Sequence, residues 1–515
     1  MLNEIAPRTR PNRDDADQVP GGRDIQAPFA DEVLRLRRTR PFSEPIVSFH
    51  ALPWGQGRSL AGAGPIGETY RQLFGEAFLD TEVTYSAGVL DSYFQPSASL
   101  DLAQHLAAEA FRADYTFFIT CGTSIANQVA FSALAGTGKR ILVDRTAHQS
   151  IHIAAGQSSA SVDYAPAAEG LPPAGQPLPD IVQLLEMVAA AADAGTPYDT
   201  IVLAACSYEG VLYNLHRIMS ECLALSPATA FLVDEAWSAI NTFHPGLRPL
   251  TALDAAHRIA ASGTPITVLV TQSAHKSMSA ARQGSYLHVV GEPALIAGVA
   301  STLYGRHTTS PSIPILASLD LARAHAQSHG QRLLQRSLDL AADVRRAVND
   351  DPALSAYQML PEPAPAGINR DYLTADPTKL LIGTTGLRRS GQDVRLRLFH
   401  DYGIYLSRTL PDAFLVNFHI GIAAEDVNRL LQSLRSLAHR TRRRPGGTRA
   451  NLGTQDDGTP IDRLLIAYPP GVPLAVPGER WAPTLRQRVA ASRRSGAEVY
   501  QLPPGPSRHP REHVS

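Results

Sequence analysis

The chain reads as an α/β protein with a mainly parallel sheet covered by helices on both faces. Three observations lead there. Short apolar runs suited to buried strands recur at residues 117–121, 141–144, 201–205, 231–234, 267–271 and 285–290. Helix-like stretches such as 100–111 and 125–134 alternate with them, the pattern of strands joined by crossover helices. Polar and reactive side chains gather just past the strand ends, where ligands sit in open α/β sheets.

The elements divide the chain as follows. Residues 1–40 are polar and rich in Pro and Arg, and are expected to form a tail or an arm on a partner subunit. Residues 41–325 hold the strand-helix alternation and are expected to form the large domain. Residues 326–515 are expected to form a smaller α+β domain with a poorly ordered tail. Pro- and Gly-rich stretches at 165–179 and 361–367 read as loops. Near the C-terminus, Val427, Leu430, Leu431, Leu434, Leu437 and Ala438 share one face of a helix that starts near Glu425. That stripe is core. The Arg440, Arg442, Arg443 and Arg444 cluster beyond it reads as charge at a helix end and a solvated linker, and Pro445-Gly446-Gly447 stops the helix.

Composition excludes several classes. A formal net charge of -1 with 18% charged residues argues against a primary role in nucleic-acid binding. Cys121, Cys206 and Cys222 are too few and scattered for a disulfide framework or a zinc site, so no metal is expected and a reducing, cytoplasmic setting is. The N-terminus lacks the apolar stretch of a signal peptide, and no run approaches the roughly 20 apolar residues of a membrane helix. A chain of 515 residues can bury a sizeable core.

The most informative residue is Lys276. An apolar strand, Val268-Leu269-Val270-Thr271, hands directly to Gln272-Ser273-Ala274-His275-Lys276. A lysine amine condenses with a carbonyl only when unprotonated, and a low-dielectric strand end favours that form. The cofactor this suggests is pyridoxal 5′-phosphate. Upstream, Phe231-Leu232-Val233-Asp234-Glu235-Ala236-Trp237 ends a second strand in a carboxylate, suited to pairing with a pyridine nitrogen. Alone, Asp234 reads more readily as a helix cap; its order and spacing relative to Lys276 reverse that and favour the first role. Gly122-Thr123-Ser124 leads from a third strand into a helix, an arrangement that suits a phosphate ester. His148 lies just past a fourth strand, where its imidazole could stack on a planar ring.

These segments, in this order, resemble the Orn/Lys/Arg decarboxylase family, the bacterial basic amino acid decarboxylases built on the type I fold of pyridoxal phosphate enzymes. Gly88-Val89-Leu90-Asp91, Ser207-Tyr208-Glu209-Gly210, Asp376-Pro377-Thr378-Lys379 and the segment from Tyr468-Pro469-Pro470-Gly471 to Pro477-Gly478-Glu479 carry the same likeness, which spans residues 46–479. It implies that Lys276 carries the cofactor aldehyde, Asp234 pairs with the pyridinium and His148 stacks on the ring, with Ala236 beside Asp234. It implies phosphate contacts from Thr123, Ser124, Ser273 and His275. The His307-Thr308-Thr309-Ser310-Pro311 segment resembles a loop whose hydroxyls, here Thr309 and Ser310, reach the phosphate of a neighbouring subunit, so a homodimer with shared active sites is expected. The implied substrate is lysine, ornithine or arginine, the product a diamine or agmatine, and the setting polyamine biosynthesis.

Two features depart from the family pattern. Phe49-His50-Ala51-Leu52-Pro53-Trp54-Gly55 lacks the second histidine of a His-x-Pro-Gly-His type segment, which keeps another reaction at Cα open: transamination, oxidation or aldol chemistry. A non-catalytic regulatory relative is a third reading. Trp237 matches the larger inducible bacterial enzymes, yet the chain is too short to carry their N-terminal wing domain as well.

Overall fold

The computed structural model describes residues 25–38, 47–85, 88–168, 177–360, 371–440 and 458–502. The expected tail up to residue 24, the loop at 361–367, the basic run at 442–447 and the C-terminal tail from residue 503 lie outside these residues.

The first eight strands are β1 (Tyr115–Ile119), β2 (Arg140–Asp144), β3 (Ser161–Ala165), β4 (Thr200–Ala204), β5 (Val211–Tyr213), β6 (Ala230–Asp234), β7 (Val268–Gln272) and β8 (Ser285–Val290). All but β5 form one sheet, in the order β1-β8-β7-β6-β4-β2-β3. Only β8 runs against its neighbours, pairing antiparallel with both β7 and β1. Side chains alternate between the two faces. Ile201, Leu203, Phe231, Val233, Val268 and Val270 enter one core, while Val202, Leu232 and Leu269 enter the other. Burial on both faces is the reason these strands read as unbroken apolar runs, each buried Leu, Val or Phe contributing about 1.5–3 kcal/mol. The sequence reading missed β3. It is an edge strand whose pattern, Ser-Val-Asp-Tyr-Ala, carries too little apolar weight.

Beyond the sheet, the helix Ile313–Asp350 leads to a second unit. Its antiparallel sheet comprises β9 (Gln358–Met359), β11 (Lys379–Gly383), β12 (Arg408–Leu410) and β13 (Ala413–Asn417), while β10 (Leu373–Ala375) returns to pair with β5. Leu340, Val344, Ile382, Phe414, Leu430 and Leu434 form its core. The apolar stripe expected near Glu425 belongs to the helix Ala424–Arg440. The expected boundary at 325/326 falls inside the helix Ile313–Asp350, whose N-terminal half packs in the large core and whose C-terminal half packs in the small one. A third unit, β14 (Leu464–Tyr468), β15 (Val472–Ala475) and β16 (Glu498–Leu502) with the helix Pro483–Arg494, has its own small core.

Part of the expected N-terminal tail is built in. Pro28–Arg38 is a helix, and its Phe29 side chain is fully buried. Asp320 Oδ2 accepts from the amides of Phe29 (2.9 Å) and Ala30 (3.3 Å), capping the helix start. Arg323 neutralises Asp320 and also donates to the Gln26 carbonyl, both at 2.6 Å. The polar character of this segment hid a single amphipathic face whose Phe29, Ala30 and Val33 are core.

The third unit is clamped over the C-terminal end of β2. Arg145, just past that strand, donates through Nε and Nη2 to both oxygens of Glu479 (2.8 and 3.0 Å) and through Nη1 to the Pro473 carbonyl (2.9 Å). Arg408 of β12 similarly ties Glu209 of the large domain (2.8 Å) to the Pro469 carbonyl (2.8 Å). Arg145 is buried whereas Glu479 is partly exposed, so the full cost of an orphaned buried charge is not expected. Arg145→Met should destabilise the protein by about 1–3 kcal/mol in urea unfolding and speed protease cleavage in residues 458–502; an unchanged midpoint would remove the clamp from the account.

Candidate active site

The parallel register of β6 with β7 sets Asp234 beside Thr271, so the carboxylate and the turn that carries Lys276 leave the sheet at the same edge. Asp234 closes β6, where alternation sends its side chain to the opposite side from Glu235. Glu235 is fully buried, accepting from the Ala252 amide (2.6 Å) and from Gln272 (2.8 Å); burial pushes its carboxyl up to about 7. Asp234 has both oxygens fixed. Oδ1 accepts from the Ala236 amide at 3.0 Å and Oδ2 from Asn127 Nδ2 at 2.7 Å.

Lys276 lies in the single turn Ala274–Ser277 that follows β7. Burial lowers its pKa; Asp234 and Cys206 oppose that shift and Lys379 adds to it. Its Nζ stands 4.6 Å from the centroid of the Trp237 ring. A cleft of about 390 Å³ opens beside it, lined in part by Trp237, Asn241, Lys379, Asn417 and His419.

His148 caps the helix Gln149–Gln157, its Nδ1 accepting from the Ser150 amide at 3.3 Å. Ser150 Oγ lies 2.9 Å from the same nitrogen. An accepting Nδ1 puts the ring hydrogen on Nε2. Burial lowers the His148 pKa to about 4, against the pull of Asp234 and with the help of Lys276. The imidazole is therefore neutral near pH 7. Gly471 of the third unit covers its Nε2 edge: it has φ +91° and a Cβ there would sit 2.9 Å from Nε2, a position that only glycine occupies without strain.

Asn127, to which the sequence assigned no role, is the hub of the site. One amide hydrogen goes to Asp234 and the other to Ser150 Oγ (3.0 Å), while its Oδ1 accepts from Thr271 Oγ1 (2.5 Å). The chain Asp234–Asn127–Ser150–His148 thus couples the two groups expected to hold a ring. A polar residue one helical turn beyond Gly122-Thr123 was the available signal; an apolar helix face carries alanine there more readily than asparagine.

Three of the expected phosphate contacts gather in one place. Thr123 Oγ1 reaches Ser273 Oγ (2.5 Å) and Ser285 Oγ (2.8 Å) at the start of the helix Thr123–Leu134. Ser285, at the start of β8, was not anticipated. His275 donates through Nδ1 to the Gly284 carbonyl (2.9 Å), leaving Nε2 for other partners. Ser124 is exposed on the first turn of the same helix. Thr309 and Ser310 are exposed, and the Ser310 amide donates to Thr308 Oγ1 at 3.1 Å. Their segment is anchored at the end of β1, where His307 Nε2 accepts from the Thr120 amide (3.1 Å).

This donor set fits pyridoxal phosphate: hydroxyls at a helix start, a carboxylate held at both oxygens, an uncharged imidazole and a lysine whose amine is shifted toward its neutral form. Lys379, the last residue of the Asp376–Lys379 motif, lines the same cleft. Its Nζ lies 5.1 Å from the centroid of the same Trp237 ring.

Comparison with known proteins identifies the family and the fold. A family model described as Orn/Lys/Arg decarboxylase, major domain, matches residues 43–396. An arginine decarboxylase of Halalkalibacterium halodurans is 29% identical, covering 93% of this chain and 95% of its own. A lysine decarboxylase of Pseudomonas aeruginosa is 26% identical over 82% of this chain and 70% of its own. Among solved structures, the Francisella novicida lysine decarboxylase superposes with a TM-score of 0.73 at 19% identity, covering 93% of this chain and 79% of its own. The Escherichia coli constitutive lysine decarboxylase does so with a TM-score of 0.71 at 21% identity, covering 92% and 80%. These superpositions establish the type I fold expected from the sequence.

Two outcomes test the site's construction. Asn127→Leu should cost about 2–3 kcal/mol in urea unfolding, since Thr271 and Ser150 lose a buried partner; a neutral result would remove the hub. His148→Asn keeps a capping acceptor while removing a titrating group. The depressed histidine pKa means the unfolded chain binds an extra proton between about pH 6.5 and 4, so stability falls as pH drops through that window. The variant should show a shallower fall there, measured as unfolding midpoint against pH.

Proposed function

This chain belongs to the Orn/Lys/Arg decarboxylase family, and from that premise we propose that it removes the α-carboxylate of a basic amino acid as CO2, with pyridoxal 5′-phosphate as cofactor. The observation that carries the reading is the shared sheet edge, where the register of β6 with β7 delivers Asp234 and the Lys276 turn together and Asn127 links Asp234 to His148. Lysine, ornithine and arginine are the substrates to test. Arginine comes first, because a relative named arginine decarboxylase matches over nearly the full length of both chains.

Pyridoxal phosphate supplies, when bound, an aldehyde that captures the substrate amine and a ring that draws electrons from Cα. The chain's own residues do the rest. Lys276 presents the amine that takes the aldehyde, and burial favours its reactive unprotonated form. Asp234, fixed at both oxygens and flanked by the Ala236 amide, holds a proton at the ring nitrogen. His148 offers an uncharged face for stacking. Thr123, Ser124, Ser273 and His275 hold the phosphate, with Thr309 and Ser310 serving the partner's site in a homodimer. With substrate and cofactor bound, the cleft lined by Trp237, Asn241, Lys379, Asn417 and His419 would orient the substrate so that its carboxylate is lost in preference to the Cα proton. After CO2 leaves, Lys276 delivers a proton to Cα and the amine product departs. The division into a large domain and a C-terminal part, a cytoplasmic setting and a place in polyamine biosynthesis belong to the same reading.

Incubation of the purified protein with each basic amino acid should release CO2 and the matching amine, identified by mass. Formation of an α-keto acid or peroxide without CO2 would overturn decarboxylation. Lys276→Ala should lose visible absorbance and the borohydride-trapped adduct on the residue-276 peptide; retention of normal turnover would remove the assignment.

A further inference from the structure

Lys379 has an unusual position for a lysine. It opens β11 of the small domain, yet its side chain is only 3% exposed and points into the cleft that holds Lys276. Burying an ammonium is costly unless it is well paired, and the pairing here is loose. The Asp376 carboxylate stands 3.4 Å away and the Ser207 carbonyl also 3.4 Å. Asp376 Oδ1 is committed to Thr378, accepting from its amide (3.0 Å) and its hydroxyl (2.6 Å). Both lysines approach the ring of Trp237, at 4.6 and 5.1 Å from its centroid.

We propose that Lys379 is a positioning residue, a second buried cation set beside the Trp237 ring in the same cleft to keep the Lys276 amine ready for the cofactor aldehyde. The inference deepens the proposed function, since it rests on Lys276 being the amine that takes the cofactor aldehyde. A structural ion pair would need no access to the cleft and no shared aromatic ring. A second cation near a reactive lysine destabilises its protonated form by like-charge repulsion. The groups facing Lys276 set the balance. Asp234 from β6 and Cys206 from the loop after β4 favour the ammonium, whereas burial and Lys379 from β11 oppose it; the charge of Lys276 is in turn felt by His148. Lys379 is in turn faced by Asp376 on its own segment and by Cys206, Ser207 and Tyr208 from the loop between β4 and β5. The Trp237 ring favours the ammonium of either lysine, so at Lys276 it sides with Asp234, and burial together with repulsion from Lys379 must outweigh both.

The test measures the Lys276 amine directly in the full chain after removal of cofactor. Competitive acetylation with acetic anhydride across pH, read by peptide mass with Lys139 as internal reference, gives the fraction of Lys276 unprotonated. Lys379→Met should slow Lys276 labelling at neutral pH by at least about threefold, Lys379→Arg should retain the parent rate, and Asp376→Asn should speed it. Equal rates in the parent and Lys379→Met, or equal losses in the Met and Arg variants, would overturn the proposal. Should Lys379→Met fail to fold, Asp376→Asn decides: faster labelling supports the role, and an unchanged or slower rate refutes it. Borohydride trapping of cofactor on Lys276 in the unmodified protein reports separately on the proposed function, so the two readings fail independently.

Discussion

The in-register parallel pairing of β6 with β7 is the constraint from which the site follows. Parallel strands end at the same level, so a carboxylate on one and a lysine turn on the next meet at one edge without either strand bending. That edge lies between two apolar cores. Its position on the sheet, rather than any single hydrogen bond, makes it dry enough to shift the Lys276 amine and the His148 imidazole toward their neutral forms. The remaining polar groups then need internal partners, and Asn127 supplies three bonds at once. The site is therefore costly to assemble piecemeal. Loss of Asn127 would be felt at Thr271, Asp234 and Ser150 together.

Much of this was legible in the sequence. The runs ending at Asp144, Asp234 and Gln272 are apolar on both faces, and an α/β sheet is their natural home. The chemistry stood at their ends in Asp234, His148 and Lys276. Two adjacent acids, Asp234 and Glu235, could not be ranked by composition; strand alternation ranks them, one toward the cleft and one toward the core. Other parts were hidden for definite reasons. The β3 edge strand has a pattern with few apolar residues. The helix Pro28–Arg38 owes its place to Asp320 and Arg323, nearly three hundred residues away, a relation that no local pattern carries. Lys379 and Gly471 matter through contacts between units of the chain, and such contacts leave only short motifs behind.

The units are joined by charge where they meet the site. Arg145 with Glu479 and Arg408 with Glu209 each bridge two units, and each arginine also reaches a carbonyl in or beside the β14–β15 turn, at Pro473 and Pro469. Apolar contact alone slides. Forked guanidinium contacts fix distance and angle together, which matters when a backbone glycine must rest against an imidazole edge. The third unit is thus more than a tail on the catalytic scaffold: its turn forms one wall over His148.

The helix Ile313–Asp350 has 38 residues, about 57 Å of continuous rod. It enters one core and leaves by the other, and Gly330 near its middle lies so close to Phe243 that a methyl there would sit 2.8 Å from the Phe243 Cβ. A shaft seated at both ends and pinched at its centre transmits torque but resists bending. The two cores thus share one stiff member, and the pairing of β10 with β5 adds a second tie between them beside the cleft.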